Sequence, residues 1–150
     1  MSKSPDTSNY VKADLSLLGA EHVAKYRETG GAVGHIWNGV PALLLTTTGR
    51  KTGEARTQAM IYARDGDNYL VVASKGGAPQ HPAWYLNLVA QPQVEIQVKD
   101  EIIKVVASTA EGAERERLWQ VVTGVWPNYD QYQQRTQRVI PVVVLTPVVK

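Results

Sequence analysis

Cysteine is absent from the 150 residues, which removes disulfide frameworks, thiol nucleophiles and thiolate-held zinc or iron–sulfur centres together. That absence is compatible with a reducing cytoplasm. Histidine is scarce: His22, His35 and His81 are the three present, and no HxH or HExxH spacing or carboxylate pairing relates them, so a metal site is not expected. Net charge is small, +2 at pH 7, which speaks against a nucleic-acid-binding protein and leaves any anion site to local clustering. No apolar run approaches a membrane span, and MSKSPDTSNY has no apolar signal core behind it. Repeats and low-complexity tracts are also missing. The expected product is a soluble cytoplasmic protein without stable membrane insertion, its amphipathic first helix being the one route to peripheral membrane contact.

What is present divides cleanly. Residues 1 to 9 read as a flexible arm and residues 10 to 150 as one domain, long enough to bury a core unaided. From about Tyr10 to Glu28, Leu15, Leu18, His22 or Val23, and Tyr26 recur at helical spacing until Thr29-Gly30-Gly31 ends the pattern. Then ALLLTTT, TQAMIYARD, NYLVVAS, VEIQVK, EIIKVVAS and IPVVVLTP read as six short strands separated by turn residues. Asp65-Gly66 and Lys99-Asp100 mark tight antiparallel hairpins. Pro82 suits the first turn of a crossover helix. Ser108 with Glu111 reads as a capping box for a helix through Leu118, Trp119, Val122 and Val125, broken by Pro127 before a second short helix from Asn128. The fold class is α+β, a six-stranded antiparallel sheet curled into a barrel with helices outside.

Three stretches carry candidate chemistry. TTTGRKTGEAR sets Arg50, Lys51 and Arg56 around a glycine-flanked turn with Thr48 and Gly49, a composition suited to phosphate or carboxylate. It is not a Walker A loop, because Lys51 precedes the second glycine and a strand follows. A solvated hairpin tip explains the same residues. ASKGGAPQHPAWY places Ser74, Lys75, Gly76 and Gly77 where a strand turns into a helix, and paired glycines there let backbone approach a flat ligand; a plain strand-to-helix turn is the alternative. WPNYDQY repeats Trp126, Tyr129 and Tyr132 every third residue, an aromatic wall or ordinary core packing. Neither a G-x-S-x-G elbow nor a base beside Ser74 is present, so a bound cofactor is expected to do the hard chemistry.

Taken in order, LLLTTTGRKTGEARTQAMIYARDGDNYLVVASKGGAPQHPAWYLNL, WPNYDQY and the terminal IPVVVL resemble the deazaflavin-dependent nitroreductase family, over roughly three quarters of the chain from Val40 onward. That resemblance implies a split β-barrel of the FMN-binding type whose cofactor is coenzyme F420, a 5-deazaflavin with a phospholactyl-oligoglutamate tail. It implies that Arg50, Lys51 and Arg56 hold the phosphate and acidic tail, with Thr48 and Gly49 in the same cofactor-binding turn. Ser74, Lys75, Gly76 and Gly77 then lie against the ring, and Pro82, Trp84 and Tyr85 line the cofactor groove. Trp126, Tyr129 and Tyr132 wall the substrate side, with Ser74 and Tyr129 the candidates for supplying a proton or polarising a carbonyl. Lys75 and Trp126 stand where nitroreductase members commonly carry tyrosine. The implied activity is hydride transfer from reduced F420 to a conjugated small-molecule acceptor: a quinone, enone, unsaturated lactone or nitroaromatic. A non-catalytic F420 carrier or storage protein and an FMN- or haem-binding barrel are the other readings, and both monomer and homodimer remain open.

Overall fold

The run NYLVV is apolar on both strand faces because both are covered, and this sandwiching organises the molecule. In the computed structural model, which describes Leu17 and residues 19–148, Asn68–Val72 forms a strand whose Val71 enters one core cluster while Leu70 and Val72 enter another. The first cluster gathers Leu43, Leu45, Ile96, Val105, Val143 and Leu145 on the concave side of the sheet. In the second, Ala63 and Val142 pack with Leu118, Val122, Trp126 and Tyr129 from helices outside. A strand buried on both faces loses the polar alternation that marks a half-exposed one.

The element order is α1 (Gly19–Thr29), β1 (Ile36–Trp37), β2 (Val40–Thr48), β3 (Ala55–Ile61), β4 (Ala63–Asp65) and β5 (Asn68–Val72), followed by a helical turn at Lys75–Gly77. Next come α2 (Ala83–Ala90), β6 (Gln93–Val98), β7 (Glu101–Thr109), α3 (Gly112–Val125), α4 (Asn128–Gln134) and β8 (Val142–Pro147). Every strand pairing is antiparallel. The sheet runs β1-β2-β6-β7-β8-β5-β4, with β3 on the other side of β2. Among the described residues the strand count is eight rather than six. One extra strand is β1, hidden in the connector before Val40. The other arises because TQAMIYARD is two strands: the run pairs with β2 up to Ile61 and with β5 from Ala63. At the buried Tyr62 between them, the N–H leaves both ladders and donates to Pro41 O at 3.1 Å. Because one continuous run pairs with β2 at one end of the sheet and β5 at the other, it curls the sheet round on itself.

The two short hairpins turn on Gly66-Asp67 and Lys99-Asp100, with Asp65 opposite Asn68 and Val98 opposite Glu101. The expected arm over residues 1 to 9 and the first part of the expected helix from Tyr10 to Glu28, with Leu15 and Leu18, lie outside the described residues; the described part, Gly19–Thr29, is helical and buries His22 and Tyr26. The Tyr26 hydroxyl donates to Ala42 O at 3.0 Å and accepts from the Lys99 N–H at 2.8 Å, pinning the helix to β2 and to the turn between β6 and β7 at once. The capping box does not form. Ser108 stays in β7 opposite Val144, and the Ala110 N–H continues the ladder to Val142 O, so Glu111 becomes the residue before α3 without a side-chain cap. Sheet pairing outcompetes the local cap because it satisfies more backbone groups at once. Pro82 and Pro127 stand immediately before α2 and α4 as expected.

Candidate functional site

Three cavities open side by side between the β2–β3 side of the sheet, α2 and α4. The first, about 370 Å³, is walled by Trp37, Gln58, Met60, Ser74, Lys75, Gly76, Trp84, Trp126, Tyr129 and Tyr132, with His22 at its edge. The second, about 390 Å³, is walled by Gly49, Arg50, Lys51, Thr52, Arg56, Gln58, Trp84 and Asn87. Gln58 and Trp84 belong to both, so an aromatic chamber and a cationic chamber share a wall. A third, about 500 Å³, holds Arg50, Lys75, His81 and Arg138 and joins the other two through Arg50 and Lys75. Together they make one groove with a flat apolar end and a positively charged end.

The charged end is built by a six-residue loop between Thr48 and Ala55. Gly49 N–H donates to Glu54 O at 2.7 Å and Gly53 N–H to Gly49 O at 2.8 Å, so the loop closes on itself. Arg50 is fixed from outside: its backbone N–H and its guanidinium both donate to Asn87 Oδ1, at 3.2 and 3.0 Å. Asn87 is buried on α2 and turns its own amide to Thr47 Oγ1 at 3.4 Å. Arg56 leans on Glu54 at 3.3 Å, an exposed pair. Lys51 is exposed and makes no hydrogen bond or ion pair with the described residues. This donor set suits an anion of several charges.

At the aromatic end the Trp37 and Trp126 rings lie 5.8 Å apart, and Tyr129 meets Tyr132 edge-on at 6.2 Å. Trp37 Nε1 donates to Leu17 O at 2.9 Å, seating this ring. Tyr129 is almost wholly buried, and burial, reinforced by Tyr132, pushes its phenol well above the usual range. It therefore stays protonated and able to donate at any physiological pH. Ser74 accepts at its carbonyl from the Gly77 N–H at 2.9 Å, its side chain makes no cap bond, and the residue lines the chamber.

Not every expected residue reaches the groove. Ser74, Lys75, Gly76, Trp84, Trp126, Tyr129 and Tyr132 meet at the aromatic chamber, and Gly49, Arg50, Lys51 and Arg56 at the cationic one. Thr48 instead lines a separate concavity over β6 and β7. Gly77 is buried beneath α4. Pro82 is buried at the head of α2, and Tyr85 faces away, its hydroxyl 2.9 Å from Thr109 Oγ1 and its ring 4.9 Å from His81. The periodicity of α2 puts Trp84 on the groove, and its neighbour a third of a turn away cannot share that face. Conversely His22, Trp37, Gln58, Asn87 and Arg138 were not anticipated. Asn87 alone left a sequence signal: a lone amide inside the apolar WYLNLVA requires a buried partner.

Residues 18–147 match the family described as F420H(2)-dependent quinone reductase. The chain belongs to that family. An F420H(2)-dependent quinone reductase of Mycobacterium tuberculosis is 52% identical over 129 residues, covering 83% of this chain and 87% of the relative. A solved F420-H2 dependent reductase is 40% identical with a TM-score of 0.66, covering 70% of this chain and 93% of its own. Another solved chain, described as a domain-swapped dimer, is 36% identical with a TM-score of 0.69 over 83% of this chain and 92% of its own. The protein is an F420-dependent reductase with coenzyme F420 as its cofactor. The groove suits that group, with cations for an acidic tail at one end and flat aromatic walls for a ring system at the other. Among the described residues no cluster of histidines and carboxylates is arranged to hold a metal ion, and no helix is long and apolar enough to cross a membrane.

Proposed function

We propose that this reductase transfers a hydride from reduced F420 to a conjugated electrophilic acceptor, foremost a quinone, with enones, unsaturated lactones and nitroaromatics as further acceptors of the same electron demand. The observation that carries the reading is the shared wall of Gln58 and Trp84, which makes the cationic and aromatic chambers one groove. Bound F420 supplies two electrons as a hydride. The chain supplies everything else. Arg50, Lys51 and Arg56 hold phosphate and carboxylate groups by charge-assisted hydrogen bonds, with Arg50 aimed in advance by Asn87. Trp37, Trp84, Trp126 and Tyr132 exclude water and orient flat molecules. Tyr129, held protonated by burial, donates to an acceptor oxygen as it gains negative charge, and the Ser74 hydroxyl offers a second donor in the same chamber.

The test is a titration of purified protein with reduced F420 and with FMN, followed by F420 oxidation on adding menadione. Tight F420 binding with turnover supports the reading; preference for FMN, or binding without turnover, overturns it. Tyr129→Phe should lower kcat with menadione at least about tenfold while leaving F420 affinity nearly unchanged, since one hydroxyl donor is removed from a site that still binds. The domain-swapped relative supports a homodimer over a monomer for this chain, which a solution mass by light scattering checks directly.

A further inference from the structure

We propose that Arg138 is a positioning residue that clamps the loop from Ser74 to Ala78 against the aromatic chamber, acting on the reaction through Ser74 and Lys75. The inference rests on the site reading above. Arg138 lies between α4 and β8, far from that loop in sequence, yet its guanidinium spends nearly all its donors there. Nε donates to Ala78 O at 2.8 Å, Nη2 to Ser74 O at 2.8 Å, and Nη1 to Ala73 O at 3.1 Å and to His81 Nδ1 at 3.0 Å. Those acceptors come from both ends of the loop and from the approach to α2, so one rigid fork closes it like a staple.

The loop needs such a staple. Lys75, Gly76 and Gly77 all have left-handed backbone, φ 46°, 63° and 84°, which is unfavourable for a residue with a Cβ such as Lys75. Its internal support is thin: Gly77 N–H to Ser74 O at 2.9 Å and Ala78 N–H to Lys75 O at 3.1 Å. The clamp is itself anchored. The Arg138 carbonyl accepts from Gln133 Nε2 at 2.8 Å, and Gln133 Oε1 accepts from the Ile140 N–H and from Arg115. No carboxylate among the described residues pairs with Arg138. Burial lowers its pKa accordingly. An unpaired, half-buried guanidinium is costly to keep, and what it gains here is a fixed loop carrying Ser74 and Lys75 at the reacting end of the groove.

The test uses the full chain with Arg138→Ala and Arg138→Lys. In the cofactor-free protein, hydrogen exchange at Gly77 and Ala78 should accelerate in both variants while the β5 amides keep their protection. With F420H2 and menadione, kcat should fall at least about tenfold, towards the hundredfold that a misplacement of about 1 Å costs; that loss should exceed the loss in F420 affinity, since Arg50, Lys51 and Arg56 still hold the tail. Added guanidinium should partly restore kcat in Arg138→Ala, and methylammonium should not. Unchanged kcat, unchanged exchange at the loop, or loss of protection spread over the whole sheet would each overturn the proposal. If Arg138→Ala does not fold, Arg138→Lys carries the same readouts, because one ammonium cannot reach four divergent acceptors. Wild-type protein that fails to turn over menadione sinks the functional reading, while the exchange result still decides the clamp.

Discussion

The loop at residues 49–54 and the loop at residues 74–78 stand at opposite ends of one groove and are built on opposite plans. The first is largely exposed and closed by its own backbone bonds, with Arg50 also tied to Asn87, and leaves Lys51 without a hydrogen-bond or ion-pair partner among the described residues. The second is closed by residues brought from far along the chain: Arg138 across its carbonyls, Arg135 onto Gly76 O, and the Tyr132 backbone against Gly77. Physical chemistry accounts for the difference. Holding a polyanion needs positive charge within reach and tolerates some motion, because attraction between charges varies slowly with distance. Aligning a donor and an acceptor for hydride transfer tolerates much less.

Glycine substitutions expose the contrast most sharply. Gly77 has φ 84°, and a Cβ there would sit 2.5 Å from Tyr132 O and 2.8 Å from Arg135 Cβ. Gly77→Ala should therefore cost more than about 2 kcal/mol, through clash added to left-handed strain, and lower Tm by about 5 °C or more in thermal unfolding. Cationic substitutions at the other end should act on binding alone. Lys51→Ala and Arg56→Ala are each expected to weaken F420 about tenfold, with a shallower salt dependence than wild type and an unchanged Tm, as read by titration at several ionic strengths. Unaltered titrations would remove the tail clamp from the account. Gly53, with φ 74° but open space around it, supplies the control: Gly53→Ala should cost about 1–2 kcal/mol, from left-handed strain with no clash added. Equal losses at Gly53 and Gly77 would erase the distinction between the loops.

The smallest expected effect concerns protons. His81 is held below its ordinary pKa by burial and then by Arg138, and Arg50 and Lys75 line the same cavity. His35 is lowered by burial and then by Lys99. For both, the unfolded chain takes up a proton first as pH falls below about 6.5, so it binds more protons than the folded chain and stability declines with acidification. Thermal unfolding should show Tm falling from about pH 7.5 to about 5.5. His81→Gln should flatten part of that slope. A Tm that rises over the same interval would reverse the sign of the argument.

Legibility followed the range of the interactions. The groove's cations were readable because a glycine-flanked turn between two apolar runs is a local pattern, and the turn needs only its own backbone to close. Ser74, Lys75 and Gly76 were readable as a paired-glycine stretch between a strand run and a helix run, although the residues that close that loop were not. Tyr85 was misplaced because adjacent residues on a helix look equally suitable until the register of α2 against the sheet puts Trp84 inward and Tyr85 towards Thr109. Thr48 was misplaced by the alternation of a strand, in which neighbouring side chains serve opposite faces. Trp37 was invisible because its strand has two residues and owes its existence to pairing with β2.

By itself the sequence determined the local grammar: which runs become strands, where Pro82 and Pro127 start helices, and which short stretches bear cations, glycines and aromatic rings. Each depends on residues a few positions apart, whose φ/ψ preferences and side-chain periods act before any distant contact forms. Only the tertiary structure decided that Tyr62 is a corner, that β3 and β4 join opposite ends of the sheet, and that Arg138 closes the loop at Ser74. Those features depend on burial and on hydrogen-bond partners that become neighbours when the sheet curls. A guanidinium in an ordinary polar segment has no assigned acceptors until folding removes water from around it.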